Sequence, residues 1–371
     1  MSRHTTENVE TLIVGAGQTG LATAYHLKRT GHDALVLDAN ERVGDNWRRQ
    51  WDSLRLYTPA RYDGLPGLPF PGDPWSFPGK DDVADYLEAY AEHHALPVRL
   101  GTRVRALDPD GGGGFVATTS DGLIRADQVV VATGTFGRTP YVPAGAAELD
   151  DAIVQLHSSR YRRPGQLPDG RILVVGAAHS GTDIAYELAE SRPVTLCGRD
   201  VGELPVTLGS GRFKAVFPLL LFVFGHVLTR RTPIGRKKLD EVRHHGGPAL
   251  RVKRADLAAR GVVRTEARFA GADDGSPVLD DGTVVDAAAV VWCTGFRQAF
   301  DWIHLDVIGD DGWPREYRGV VADVPGLYFC GLSFQFGFAS MLLPGASRDA
   351  AYVACRIDER VRSRTRRPVA A

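Results

Sequence analysis

The chain has 371 residues, enough for two domains with separate cores, with 43% apolar and 24% charged residues and a net charge of −1. That near-neutral balance gives no footprint for nucleic acid or for an anionic membrane as the main partner. Four cysteines (Cys197, Cys293, Cys330, Cys355) form no C-x-x-C pair and no zinc-type cluster, so dithiol exchange and a metal site are not expected, and a reducing cytoplasm is.

The opening residues are polar and lead into a strand without a secretory signature. "TLIVGAGQTGLATAYHLKR" reads as apolar strand, tight turn and amphipathic helix, and "DALVLD" as a second strand ending at Asp38. Gly15 suits the turn, Gly17 lets the backbone approach a pyrophosphate, and Gly20 lets the helix pack on the strand. Gln18 and Thr19 open the helix, whose free N–H groups suit phosphate. Asp38 stands where a carboxylate accepts hydrogen bonds from a ribose diol. Asn46 and Trp47 lie in the stretch that follows. Glycines 111–114 mark a hairpin turn, and "DQVVVATGTFG", with Gly134, closes the first sheet.

"AIVQLHSSRYRRP" follows with His157 and Tyr161, and "RRPGQLPDGR" reads as the linker into a second unit. That unit copies the first in register. In "ILVVGAAHSGTDIAYEL", Gly176 falls on Gly15 and Gly181 on Gly20, with Ser180, Thr182 and Asp183 in the helix opening. Ala178 stands where the second glycine belongs, adding a methyl where backbone meets pyrophosphate. The second strand, "PVTLCGR", ends at Arg199, which is 23 residues past its glycine, as Asp38 is past Gly15. A guanidinium clamps a 2′-phosphate that a carboxylate would repel, so this site suits NADPH; the alternative is an arginine that only faces solvent. Arg160, Arg162 and Arg163 are further phosphate candidates.

"AVFPLLLFVFGHVL", 215–228, is flanked by bases and shorter than the roughly 20 residues of a bilayer span. The favoured reading is a buried helix with solvated ends, and the other is a helix on a membrane surface or the lip of an apolar tunnel. "AAAVVWCTGFR", with Gly295, closes the second sheet, and "DDGS" is a hairpin turn. "GLYFCGLSFQFGFAS" carries Gly331 and leads to a helix opening near Ala339 and Ser340. The fold expected is α/β, with two nested Rossmann-like dinucleotide-binding domains. Residues 1–160 plus 298–371 would bind FAD, and an inserted 165–297 would bind NADPH.

The order of blocks resembles the class B flavin-containing monooxygenases, including plant YUCCA-type enzymes, along nearly the full length. The blocks are "DNWRRQWDSLRLYTP", "LPGLPFPG", "DDVADYLEAYAEHHALPV", "VVVATGTFGRTPYVP", "SGTDIA", "CTGF" and "FCGLSFQFGFASMLLPGASRDAAYV". The family fingerprint F-x-G-x-x-x-H-x-x-x-[YF] keeps His157 and Tyr161, but Asp151 and Ile153 replace its phenylalanine and glycine. Thr58 and Pro59 stand where animal-type members carry a flavin-side asparagine. The resemblance implies that NADPH reduces FAD and that O2 forms a C4a-(hydro)peroxyflavin, which oxygenates a small, apolar or aromatic substrate. No protein nucleophile is implied, and His157, Tyr161 and Thr58 are the candidates near the site or hinge. The helix opening at Ala339 and Ser340 would support the reduced flavin, and Trp47 would pack against the flavin or be an ordinary core tryptophan. Alternatives are an NADPH-dependent flavin reductase or oxidase releasing peroxide, and a redox-sensing flavoprotein.

Overall fold

A computed structural model describes residues 6–135 and 139–365; residues 136–138, the end of the "ATGTFGR" block, lie outside the described residues. Strand β1 (Thr6–Val14), helix α1 (Gln18–Arg29) and strand β2 (Ala34–Leu37) form a parallel βαβ unit. Leu12 and Ile13 are fully buried on opposite faces of β1, as expected of a strand covered on both sides. After α2 (Asp45–Arg48) and α3 (Lys80–His93), β3 (Val98–Arg99) joins the far edge of β2. β4 (Val104–Pro109), β5 (Phe115–Thr119) and β6 (Leu123–Val131) make a meander whose last strand lies parallel to β1.

The chain leaves this sheet through β7 (Thr139–Pro140) and builds a second, all-parallel one. It contains β8 (Val154–His157), β9 (Ile172–Val175), then after α4 (His179–Leu188) β10 (Val194–Cys197). An excursion carries α5 (Gly211–Phe222), α6 (Pro233–His244) and α7 (Arg254–Ala259) before β11 (Val263–Thr265). The hairpin β12 (Phe269–Asp273) and β13 (Ser276–Leu279) precedes β14 (Ala289–Trp292). The strand order is β11-β10-β9-β14-β8. The chain returns through β15 (Phe296–Arg297), antiparallel to β7, adds β16 (Leu327–Phe329) to the C-terminal end of β6, and continues into α8 (Leu343–Thr365) against α1.

The two sheets repeat each other at the level of single hydrogen bonds. Gly15 N donates to Leu37 O at 2.7 Å, and Gly176 N to Cys197 O at 2.8 Å. Ala132 N donates to Val14 O at 2.9 Å, and Cys293 N to Val175 O at 2.8 Å.

Two expectations change. β8 pairs with β14 from Val154↔Ala289 to His157↔Trp292, so the second sheet begins before residue 160. "RRPGQLPDGR" therefore connects two strands of that sheet, and the crossings between sheets are β7 and β15. The second change concerns 215–228. α5 buries only Phe213 and Phe217, against Phe77 and Tyr62, while Leu219 and Phe222 are 62% and 54% exposed. A helix that is apolar all round but has one packed face leaves the rest in solvent.

Candidate active site

Both glycine turns adopt the left-handed region, with φ of +112° at Gly15 and +104° at Gly176. A Cβ on Gly15 would lie 2.6 Å from Ala132 O, and on Gly176 2.4 Å from Cys293 O. At Gly20 and Gly181 a Cβ would fall 1.9 and 1.7 Å from the carbonyl oxygen of the first glycine. These four positions admit no side chain. Gly17, Gly134 and Gly295 instead face open space, with no atom of the described residues within 4 Å of a Cβ there.

Ala178 now has a physical account. Gly246 packs on its methyl so closely that a Cβ on Gly246 would sit 2.3 Å from it. The next residue, His179, donates from Nε2 to Pro248 O at 2.7 Å. The methyl thus supports a strap of protein, 246–248, and the turn keeps its shape. Neither α1 nor α4 has a side-chain cap or an acidic residue in its first turn, so the N–H groups at both openings are available to an anion.

The strand ends differ in charge. Asp38 accepts from Ala16 N at 2.7 Å on one oxygen, and from Asn40 N and Nδ2 at 2.8 Å on the other. A carboxylate has about four acceptor sites, so one remains for a ribose hydroxyl. Arg199 is exposed and makes no hydrogen bond or ion pair among the described residues. Arg162 is spent on the carbonyls of Ser159 and Tyr161, while Arg160 is exposed.

Other candidates fall in three groups. Gln18, Ser180 and Trp47 are half-buried and Asn46 is exposed; Trp47 packs on the first core. Thr19 donates to Cys330 O, and a Cβ on Gly331 would meet its Oγ1 at 2.5 Å, so α1 and the end of β16 are locked together. His157 acts at the crossing: Nε2 donates to Gly295 O at 3.0 Å and Nδ1 accepts from Ser159 N at 3.1 Å. Burial lowers its pKa, the Gly295 carbonyl pulling the other way, so the ring is neutral.

Five further candidates stand in other surroundings. Tyr161 is fully buried and donates to Glu187 at 2.7 Å; burial and that carboxylate push its hydroxyl pKa far up, so it is a core residue. Asp183, expected among nucleotide contacts, is buried and accepts from Tyr57 at 2.9 Å and Arg251 at 2.8 Å. Burial pushes its pKa up, and Arg251 opposes that. Thr182 spends its hydroxyl on the carbonyls of Ala178 and His179. Ala339 and Ser340 lie in a 3₁₀ turn, Phe338–Met341, ahead of the long helix. Ser340 Oγ there accepts from Phe336 N and Gly337 N.

Thr58 has a partner that sequence reasoning missed. It donates to Asp63 Oδ1 at 2.5 Å; Asp63 is fully buried and its Oδ2 has no partner among the described residues. Burial pushes this carboxyl to about 7, with the Thr58 bond opposing. Only the loop's packing reveals this; an acid in "ARYDGLP" carries no local signal. A carboxyl whose folded pKa exceeds its unfolded value contributes stability below pH 4 that is lost as pH rises through about 7, by about 4 kcal/mol at most. Asp63→Asn is therefore expected to gain thermal stability relative to the parent between pH 5 and 8. A melting-temperature difference that stays flat with pH would contradict the buried carboxyl.

The comparisons follow this geometry. Residues 12–203 match the pyridine nucleotide-disulphide oxidoreductase family. An uncharacterized CzcO-like oxidoreductase of Geobacillus kaustophilus is 36% identical, covering 93% of this chain and 97% of its own. The indole-3-pyruvate monooxygenase YUCCA1 of Oryza sativa subsp. japonica is 29% identical over 95% and 93%. Among solved structures, the flavin-containing monooxygenase from Stenotrophomonas maltophilia superposes with a TM-score of 0.76 at 28% identity, covering 96% of this chain and 99% of that one. The chain belongs to the class B flavin monooxygenase family. It is a flavin-dependent oxidoreductase. All four cysteines are free thiols, two of them fully buried at strand ends (Cys197 and Cys330), so no dithiol stands ready for disulfide exchange.

Proposed function

We propose that the protein is an NADPH-dependent monooxygenase with two nested dinucleotide-binding domains, FAD over the Gly15 turn and NADPH over the Gly176 turn, acting on a small apolar or aromatic molecule. The observation that carries this reading is the pair of glycine turns with matching hydrogen bonds, one strand ending in Asp38 and the other in the exposed Arg199. The fit is good on three counts: open space over Gly17, Gly134 and Gly295, uncapped helix openings, and a strand-end charge suited to each nucleotide. When bound, the flavin supplies hydride acceptance and the activation of O2 for transfer of one oxygen.

The chain's own part is to hold and to exclude water. Asp38 would fix a ribose, the α1 and α4 openings would hold pyrophosphates, and Arg199 would clamp a 2′-phosphate. Tyr57, Asp183 and Arg251 tie the first sheet's loop to α4 and to the excursion, which fixes how one site faces the other. Thr58 and Asp63 keep a proton in a buried pair near neutrality.

The test uses the purified full chain loaded with FAD, with NADPH, ¹⁸O2 and a panel of thioethers, amines and 2-oxo acids. The expected result is NADPH-dependent product carrying one labelled oxygen. Stoichiometric peroxide with every acceptor would leave an oxidase, and anaerobic turnover on a disulfide would leave a reductase; either overturns the proposal.

A further inference from the structure

Residues 204–239 contain no aspartate or glutamate in a chain that is otherwise slightly acidic. Six bases there are exposed: Arg212, Lys214, Arg231, Arg236, Lys237 and Lys238, the last of them paired with Glu241 at 2.5 Å. Between them lies the outer face of α5, where Ala215, Pro218, Leu219 and Phe222 recur at helical spacing and are all exposed. Ile234, in the first turn of α6, is 58% exposed. The exposed side of the excursion is thus apolar in its middle and basic at both ends.

The buried side is anchored. Arg230 and Arg243 both bind Glu316, at 2.6 and 3.0 Å, and that carboxylate is wholly buried. Arg348 donates to Gly225 O at 2.9 Å, Phe224 lies 4.5 Å from Phe338, and Thr229 bridges to Gly337. The patch is therefore displayed on a fixed support.

We propose that α5 and the start of α6 dock on an anionic lipid surface, with Leu219, Phe222 and Ile234 entering the headgroup region and the six bases facing lipid charge. No helix among the described residues is long and apolar enough to cross a membrane, so the contact is interfacial. Charge chooses this occupant over a second copy of the chain. A two-fold contact would set the same predominantly basic face against itself, its nearest exposed acids being Asp240 and Glu241 at the inner end of the basic run, whereas anionic lipid attracts each base near the surface. The proposal stands apart from the redox reading, since it uses none of the residues assigned to either nucleotide.

The test is sedimentation of the purified full chain with vesicles of phosphatidylcholine alone or mixed with phosphatidylglycerol. Binding is expected only with phosphatidylglycerol, and should fall in high salt. Lys237→Glu/Lys238→Glu and Leu219→Ser/Phe222→Ser should each weaken partition roughly tenfold or more, with melting temperature and NADPH consumption unchanged. No binding to either vesicle, or equal binding by the charge-reversed variant, would overturn it. So would a concentration-dependent dimer dissolved by the serine pair, or capture by an acidic protein without affinity for vesicles.

Discussion

Arg199→Glu should lower the preference for NADPH over NADH by about a hundredfold in kcat/KM, because it deletes charge-assisted bonds of about 1.5–3 kcal/mol and adds a repelling carboxylate. The substitution gives the second site the ending that Asp38 gives the first. Arg199 is exposed and free of hydrogen bonds among the described residues, so the melting temperature should stay nearly constant. The readout is the ratio of the two specificity constants. An unchanged ratio would mean that the guanidinium only faces solvent.

The second large effect is at the glycines that join each helix to its strand. Gly20→Ala and Gly181→Ala would put a methyl 1.9 and 1.7 Å from a backbone oxygen, which the helix can relieve only by moving off the sheet. Overpacking of this kind costs about 1–3 kcal/mol or more. The losses should be separable. Gly20→Ala should purify without bound flavin, while Gly181→Ala should keep its flavin and show KM for NADPH raised tenfold or more. Gly17→Ala is the control, since its Cβ meets nothing within 4 Å among the described residues; it should fold normally and lose only cofactor affinity. A Gly181→Ala protein with the parental KM would remove NADPH from the second turn.

What could be read from the sequence was what local geometry dictates. A positive φ at Gly15 and Gly176, and helix–strand contact at Gly20 and Gly181, exclude every side chain, so the same letters recur at the same spacing. The central strands β9, β10 and β14, and the ends of β1 and β6, are buried on two faces and leave apolar runs of matching kind. What escaped depends on partners far along the chain. β8 is a strand only because β14, more than a hundred residues later, lies beside it. Asp183 looks like a nucleotide contact until Tyr57 and Arg251 close on it from opposite directions in sequence. Tyr161 sits in a family fingerprint, yet its hydroxyl points into the core toward Glu187. The exposed face of α5 escaped for a different reason: an apolar run carries no mark of which side will find a partner.

The late arrival of β16 has a consequence for synthesis. The second sheet draws all its strands from residues 154–292, whereas the first still needs residues 327–329 beside β6. On the ribosome, the middle of the chain can close its sheet while the N-terminal one still has an open edge on buried strand β6. A nascent chain stalled just past β15 would therefore hold a finished inner unit and an outer one exposing Val129, Val130 and Val131 to pairing with any other strand. The step that ends this exposure is the addition of a three-residue strand, followed by α8 settling on α1.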